Sequence, residues 1–255
     1  DAVADVGTAP PTQKAIFGFG FSSTNITNLV SSSGVVATDT TGVGTSRHGL
    51  AAAGYGGDKA IFGYGAGVTN LTNLVSNAGV VATDTTGVGT ARIVLAAASY
   101  GGDKAIFGYG DSGGDTYVSM SNLVSSSGVV ASDVTGVGTA RSNLSAASYG
   151  TDKAIFGYGY NSSARVSMSN LVSNSGVVAT DVSGVGTARD SSAATGYGGD
   201  KGIFGYGDTG SKVSLTNLVS NIGVVGSDVT GVGTARRGLA AAGYGGDKAI
   251  FGYGT

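Results

Sequence analysis

Residues 54–65 read GYGGDKAIFGYG, and nearly the same string returns at 243–254. Variants begin near 99, 148 and 196, and a worn relative, KAIFGFG, runs from Lys14 to Gly20. The lysine of this phrase recurs at 14, 59, 104, 153, 201 and 248, so the spacings are 45, 45, 49, 48 and 47. Each period divides into four short apolar pieces, here called a to d. In one copy they are LAAASY (95–100), KAIFGYG (104–110), VSMSNLV (118–124) and VVASDV (129–134). Between them stand YGGD, SSSG and TGVGTAR, which is turn chemistry. The pieces have strand length. The glycines inside KAIFGYG imply close approach of neighbouring backbones.

Composition agrees. Of 255 residues, 48 are glycine; all sixteen acids are aspartate, and no segment shows helical periodicity with caps. Aspartate and glycine favour turns, whereas glutamate favours helix interiors. A repeat in the mid-forties suits a four-stranded propeller blade. The expected fold is therefore all-β, one domain over 1–255, with small alanine-rich a strands nearest the axis. The b-strand aromatics, such as Phe62 and Tyr64, should fill the space between blades. Strand b occurs six times and c and d five times; Val6 to Ala9 stand where a sixth, worn a strand would lie. Six blades with an incomplete last blade follow. The alternative is five, with the terminal a–b pair completing the first blade.

The order R-x-x-L-A-A-A-x-Y-G-G-D-K-A-I-F-G-Y-G, a variable loop, and a fourth piece leading into G-T-A-R resembles the kelch repeat over nearly the whole chain. Arg47, Arg92, Arg141, Arg189 and Arg236 stand where that family has an arginine before strand a. GYG replaces the family's double glycine, and the tryptophan after strand c is missing. The texture also resembles kelch-like arrays of bacteriophage structural and tail proteins. That resemblance implies a setting on a virion or an extracellular surface.

Three intervals in the repeat are fixed. From the c asparagine to the d aspartate is 11 residues, from aspartate to arginine 8, and from arginine to lysine 12. Only lysine to asparagine varies, as 14, 14, 18, 17 and 16. All length variation thus lies in the b–c loop. Substitutions gather there and in the two residues after each arginine, which read HG, IV, SN, DS and RG. In an up-and-down blade these b–c and d–a loops emerge on one face, where binding residues usually lie. The candidate ligand-binding residues are His48, Asp111, Asp115, Tyr117, Tyr160, Asn161, Arg165, Asp190, Asp208, Lys212 and Arg237. Aromatic faces beside planar hydrogen-bonding groups suit sugar recognition. The repeated Arg, Lys and Asp residues read as architectural: Asp-Lys at a turn, Arg and Asp tying blades together.

Catalytic readings fail on residue content. One histidine and no cysteine exclude a kelch-type copper oxidase site and any thiolate metal site. The Asp-box spacing of sialidases is not met by ASDVTGVGTAR. His48 has no G-x-S-x-G partner for a serine triad. GYGGDKA lacks the Ser/Thr and the helix of a phosphate loop, and DSGGD (111–115) has too few ligands for a known calcium loop. Asn25 and Asn161 open formal glycosylation sequons. A net charge of −2 gives no broad attraction to nucleic acid or anionic lipid, no apolar run approaches a membrane span, and the N-terminal residues do not read as an intact signal peptide. The expectation is a non-enzymatic recognition module without cofactor or metal. Its partner would be a host-surface glycan or a neighbouring structural protein, with a homo-oligomer compatible. The alternative is a structural or decoration protein with no small ligand.

Overall fold

A computed structural model describes residues 15–20 and 24–255. The proposed a strand at Val6–Ala9, Lys14 and residues 21–23 lie outside the described residues. The architecture is all-β, in small antiparallel sheets of two or three strands. The a strands are β3 (Ala51–Tyr55), β6 (Ala96–Tyr100), β9 (Ser145–Tyr149), β12 (Ala193–Tyr197) and β15 (Ala240–Tyr244). The b strands are β1 (Ala15–Gly20), β4 (Lys59–Gly63), β7 (Lys104–Gly108), β10 (Lys153–Gly157), β13 (Lys201–Asp208) and β16 (Lys248–Gly252). The c strands are β2 (Thr24–Val30), β5 (Thr72–Val75), β8 (Ser121–Val124), β11 (Ser169–Val172) and β14 (Lys212–Val219). Units are numbered 1 to 6 by their b strand. Units 2 to 5 each form an a–b–c sheet; β1 pairs with β2, and β15 with β16.

The d piece departs from expectation. In place of a full fourth strand, units 1 to 5 each make two isolated bridges, such as Val75↔Val81 and Thr72↔Thr85. Three steps on c face four on d, so d bulges. The cause is a side chain in the ladder. Asn73 Nδ2 donates to the Ala82 carbonyl (3.0 Å) and to Asp84 Oδ1 (2.9 Å), taking a place that backbone groups would otherwise fill. Asn28, Asn122, Asn170 and Asn217 repeat both contacts.

Units are joined by aromatic rings, as expected. Phe107 is wholly buried, its ring 5.1 Å from Tyr64 of the preceding unit in an edge-to-face pair. The same pair occurs as Tyr109–Phe156 and Tyr158–Phe204. The last unit meets the first likewise, through Tyr253–Phe17 at 5.2 Å. The two glycines of GYG have different reasons. A Cβ on Gly63 would lie 2.7 Å from the tip of the Phe107 ring, so this glycine admits the next unit's aromatic rather than a backbone, contrary to the sequence reading. At Gly65, with φ +117°, a Cβ would meet the His48 carbonyl oxygen at 2.9 Å, and there the backbone does approach. Alanine and serine of the a strands line one common cavity of about 680 Å³. Ser99 Oγ donates to the Gly54 carbonyl and Ser148 Oγ to that of Ser99, stitching consecutive a strands.

Each buried arginine spans a junction. Arg141 Nη2 donates to Asn170 Oδ1 (2.6 Å), its Nε to the Tyr158 carbonyl (2.9 Å), and its guanidinium lies 4.3 Å from the Tyr109 ring centroid of the preceding unit. Arg47, Arg92 and Arg189 hold Asn73, Asn122 and Asn217 in the same way. The d aspartates complete the tie: Thr139 gives both its N–H and hydroxyl to the Asp181 carboxylate of the next unit. The architectural reading of these charges is what the contacts bear out.

These ties give a pH dependence. Partial burial raises the Asp181 pKa, but bonds from Thr139 and Asn170 and the charge of Arg141 outweigh it, leaving it below the usual carboxylate value. Asp84, Asp133 and Asp228 behave alike. A lowered folded pKa stabilises the fold above the unfolded value, and that contribution is lost as pH falls through the folded one. Burial of Tyr109, partly offset by Arg141, raises its pKa from 10.0 to about 12. A raised pKa acts in the opposite sense, so stability is lost as pH climbs from about 10 to about 12. Thermal melts should therefore be flat between about pH 5 and 9 and fall on both flanks, below about pH 4 and above about pH 10. An Asp181→Asn variant should lose part of the acid limb; an unchanged acid limb would contradict the assignment.

Candidate loop-face site

The residue after each arginine pairs with the start of its own unit's b–c loop. Ile93 bridges Asp111, Ser142 bridges Tyr160 and Asp190 bridges Asp208. The His48 carbonyl accepts the Ala66 N–H at 2.7 Å. The next residue along links the units to one another. Val94 N–H donates to the Gly49 carbonyl, Asn143 to Val94, Ser191 to Asn143 and Gly238 to Ser191, at 2.7–2.9 Å. Val94, Asn143 and Ser191 hold φ near +51° for this, a strained geometry for a β-branched valine. The two variable loop sets thus form one hydrogen-bonded surface.

The three longer b–c loops are hairpin tips closed by Asx turns. Asp111 Oδ1 accepts the Gly113 N–H (2.8 Å), and Asp208 Oδ1 that of Gly210 (2.6 Å). Asn161 Oδ1 accepts those of Ser163 and Ala164. An aspartate or asparagine opening such a turn binds its own backbone two residues on. Tyr117 and Tyr160, from adjacent hairpins, form an edge-to-face pair with centroids 6.3 Å apart. Both are half-buried, while Asp115 and Lys212 are exposed and His48 is half-buried.

Four of the predicted charged residues bind one another across three units. Arg165 Nη2 donates to Asp208 Oδ1 at 2.9 Å, and Arg237 Nη1 to Asp208 Oδ2 at 2.7 Å. Arg165 Nε lies 3.1 Å from Asp190 Oδ2, close enough for ion pairing but outside hydrogen-bond alignment. Asp208 is buried. The Gly210 N–H, then Arg237 and Arg165, hold its carboxyl below the usual range against its partial desolvation. Sequence reasoning placed these residues on one face but missed that they neutralise each other.

Repeated exposed valines were also missed. Val35, Val80, Val129, Val177 and Val224, at one equivalent position of the d piece, are all at least 59 % exposed. The signal was present, since VV recurs at a fixed distance after each c strand. Among the described residues no group of three or more His, Asp, Glu or Cys side chains is placed to hold a metal ion. No protein-family model matches the chain, and no curated protein matches it in sequence.

Proposed function

We propose that the chain is a kelch-like β-propeller of six units. In this reading it is a non-enzymatic recognition module on a virion or cell surface, binding glycan or protein through the b–c and d–a loop face. The observation that carries the binding proposal is the Tyr117–Tyr160 pair, set on two hairpins that are each bonded to a d–a loop, those loops being bonded in turn to one another. Two rings beside the Asp111 and Asp115 carboxylates offer the apolar and polar groups that a sugar presents in complement. Arg165, Asp190, Asp208 and Arg237 tie the Tyr160 hairpin to the two following units, with Lys212 and His48 at the margin. Six units are supported by the Tyr253–Phe17 contact and by β2 pairing with β1; five would require β16 on β2.

Glycan-array screening of the full chain tests the reading. Tyr117→Ala and Tyr160→Ala should weaken binding about tenfold or more and change stability by less than about 1 kcal/mol. Ligand affinity that survives both changes, yet falls with Lys104→Ala on an a–b turn, would refute the loop-face assignment. The second reading, a structural or decoration protein, is favoured by the valines at 35, 80, 129, 177 and 224, a recurring apolar position suited to packing against neighbours.

A further inference from the structure

In units 2 to 5 the a strand lines the common cavity and the d piece lies at the opposite edge, outside strand c. The inner side of the d piece is bonded to its own unit. The Ala82 N–H donates to the Leu74 carbonyl, and the Val80 carbonyl accepts the Ser76 N–H. Backbone groups alternate in direction along a strand, so those of the intervening residue face outward. The N–H and C=O groups of Val81 and of the exposed Thr83 have no hydrogen-bond partner among the described residues. The same holds at the equivalent positions of units 1, 3, 4 and 5.

This edge is apolar and nearly free of charge. It reads VVAT, VVAT, VVAS, VVAT and VVGS in the five units. Its first valine is 59–66 % exposed each time. Among the described residues, thirteen of the eighteen exposed large apolar side chains fall at 35–43, 80–88, 129–137, 177–185 and 224–232, so exposed apolar surface is concentrated on this edge. Lysine and proline, which blunt open strand edges, are missing from all five segments. The one charge in each, the d aspartate, is engaged by the c asparagine of its own unit, as in Asn73–Asp84. Exposed positions of the b–c loops differ from unit to unit, whereas this exposed position is always valine. Burial does not require that sameness.

We propose that the d edges are self-association surfaces, each pairing with a d edge of a second copy of this chain. Unpaired edge groups are a template for another strand. Two features identify a second copy as the occupant. The edge is self-complementary. Antiparallel pairing about a two-fold axis at Val81 joins that residue to its counterpart by two N–H···O=C bonds. It also sets Val80 against Ala82 of the other copy, so that no charge faces a charge. The edge is also repeated, and five equivalent edges match a partner that carries the same five. One pairing then raises the effective concentration for the next, and the assembly grows beyond a dimer. The proposal deepens the structural reading above, on which it rests, and is independent of loop-face binding.

The test is analytical ultracentrifugation of the full chain over a concentration series, with hydrogen exchange read at both ends of it. Reversible self-association is expected, with exchange at residues 81 and 83 and their equivalents slowing as concentration rises. Val80→Lys, Val129→Lys and Val177→Lys in one chain set like charges along the pairing and should weaken association about tenfold or more. Melting should be unchanged, because these side chains are exposed. Threonine at the same three positions, which keeps the β-branched shape without charge, should retain association. A chain still monomeric at about 100 μM, association undiminished in the Lys variant, or protection confined to the b–c loops would overturn the proposal. The exchange measurement uses the parent chain and decides even if the Lys variant fails to fold. A monomer whose d edge instead takes up a strand from a different protein would sink this proposal and leave the structural reading standing.

Discussion

Arg141→Ala should cost about 3–5 kcal/mol of folding stability, because it leaves buried polar partners without their donor. The side chain is fully buried and bonded to Asn170, Tyr158 and Thr139, with Asp181 at 3.9 Å. Desolvation lowers its pKa, and Asp181 and Tyr109 oppose that shift. Truncation would leave Asn170 Oδ1 and the Tyr158 carbonyl facing a cavity. It would also remove the cation stacked on Tyr109. Arg141→Lys should recover little, since an ammonium cannot reproduce the planar fork that reaches three acceptors and a ring together. Arg236→Ala is the internal control. That side chain is half-buried, bonds one carbonyl and lies 4.9 Å from the Tyr206 ring, so its loss should cost about 1 kcal/mol. Urea melts of the three variants decide. An Arg141→Lys variant within about 1 kcal/mol of the parent chain, or equal losses for Arg141→Ala and Arg236→Ala, would show that the buried fork is not what ties the units.

The fixed intervals of the sequence correspond to particular bonds. The 11 residues from asparagine to aspartate end in the Asn73–Asp84 contact and its equivalents. An insertion there would separate two side chains that must meet inside the c–d ladder. The spacing was legible; its consequence was not. The d piece was expected to be a strand from its apolar residues, as in VVASDV (129–134), and the spacing alone does not say that the asparagine side chain enters the ladder. Asn73 entering the ladder is what reduces it to two bridges. The b strand was better marked, because Phe and Tyr recur with glycines that only a crowded junction requires. Even there, the sequence could not distinguish a neighbouring backbone from the ring of Phe107 at Gly63.

The loop face was legible as a location and not as a set of interactions. Variation confined to lysine-to-asparagine and to the post-arginine pair identified two segments. The bridges Ile93↔Asp111, Ser142↔Tyr160 and Asp190↔Asp208 join them. The Arg165–Asp208–Arg237 tie has no sequence signature. Its partners are 43 and 29 residues apart, occupy non-equivalent loop positions, and meet only because consecutive units stack. The same loss of equivalence separates unit 6 from the rest: identical b-strand residues acquire different exposure once the neighbouring strand differs.

Phe107→Ala should cost about 3–5 kcal/mol, and the loss should be coupled to the glycine it faces. The ring is fully buried, pairs with Tyr64 across the junction, and rests its tip where a Cβ on Gly63 would lie at 2.7 Å. Removing it deletes the transfer free energy of a large side chain and opens a cavity that the rigid strands on either side cannot close. Gly63→Ala alone should cost about 1–3 kcal/mol, since the added methyl overlaps an aromatic ring fixed by its neighbours. In the Phe107→Ala background the overlap disappears and the methyl fills part of the cavity. The double variant should therefore be more stable than the sum of the single losses predicts, by about 1 kcal/mol or more. Chemical denaturation of the four-member cycle measures this directly. Additive losses would mean that ring and glycine do not share one space, and the junction would then need another explanation for glycine at this point of every unit.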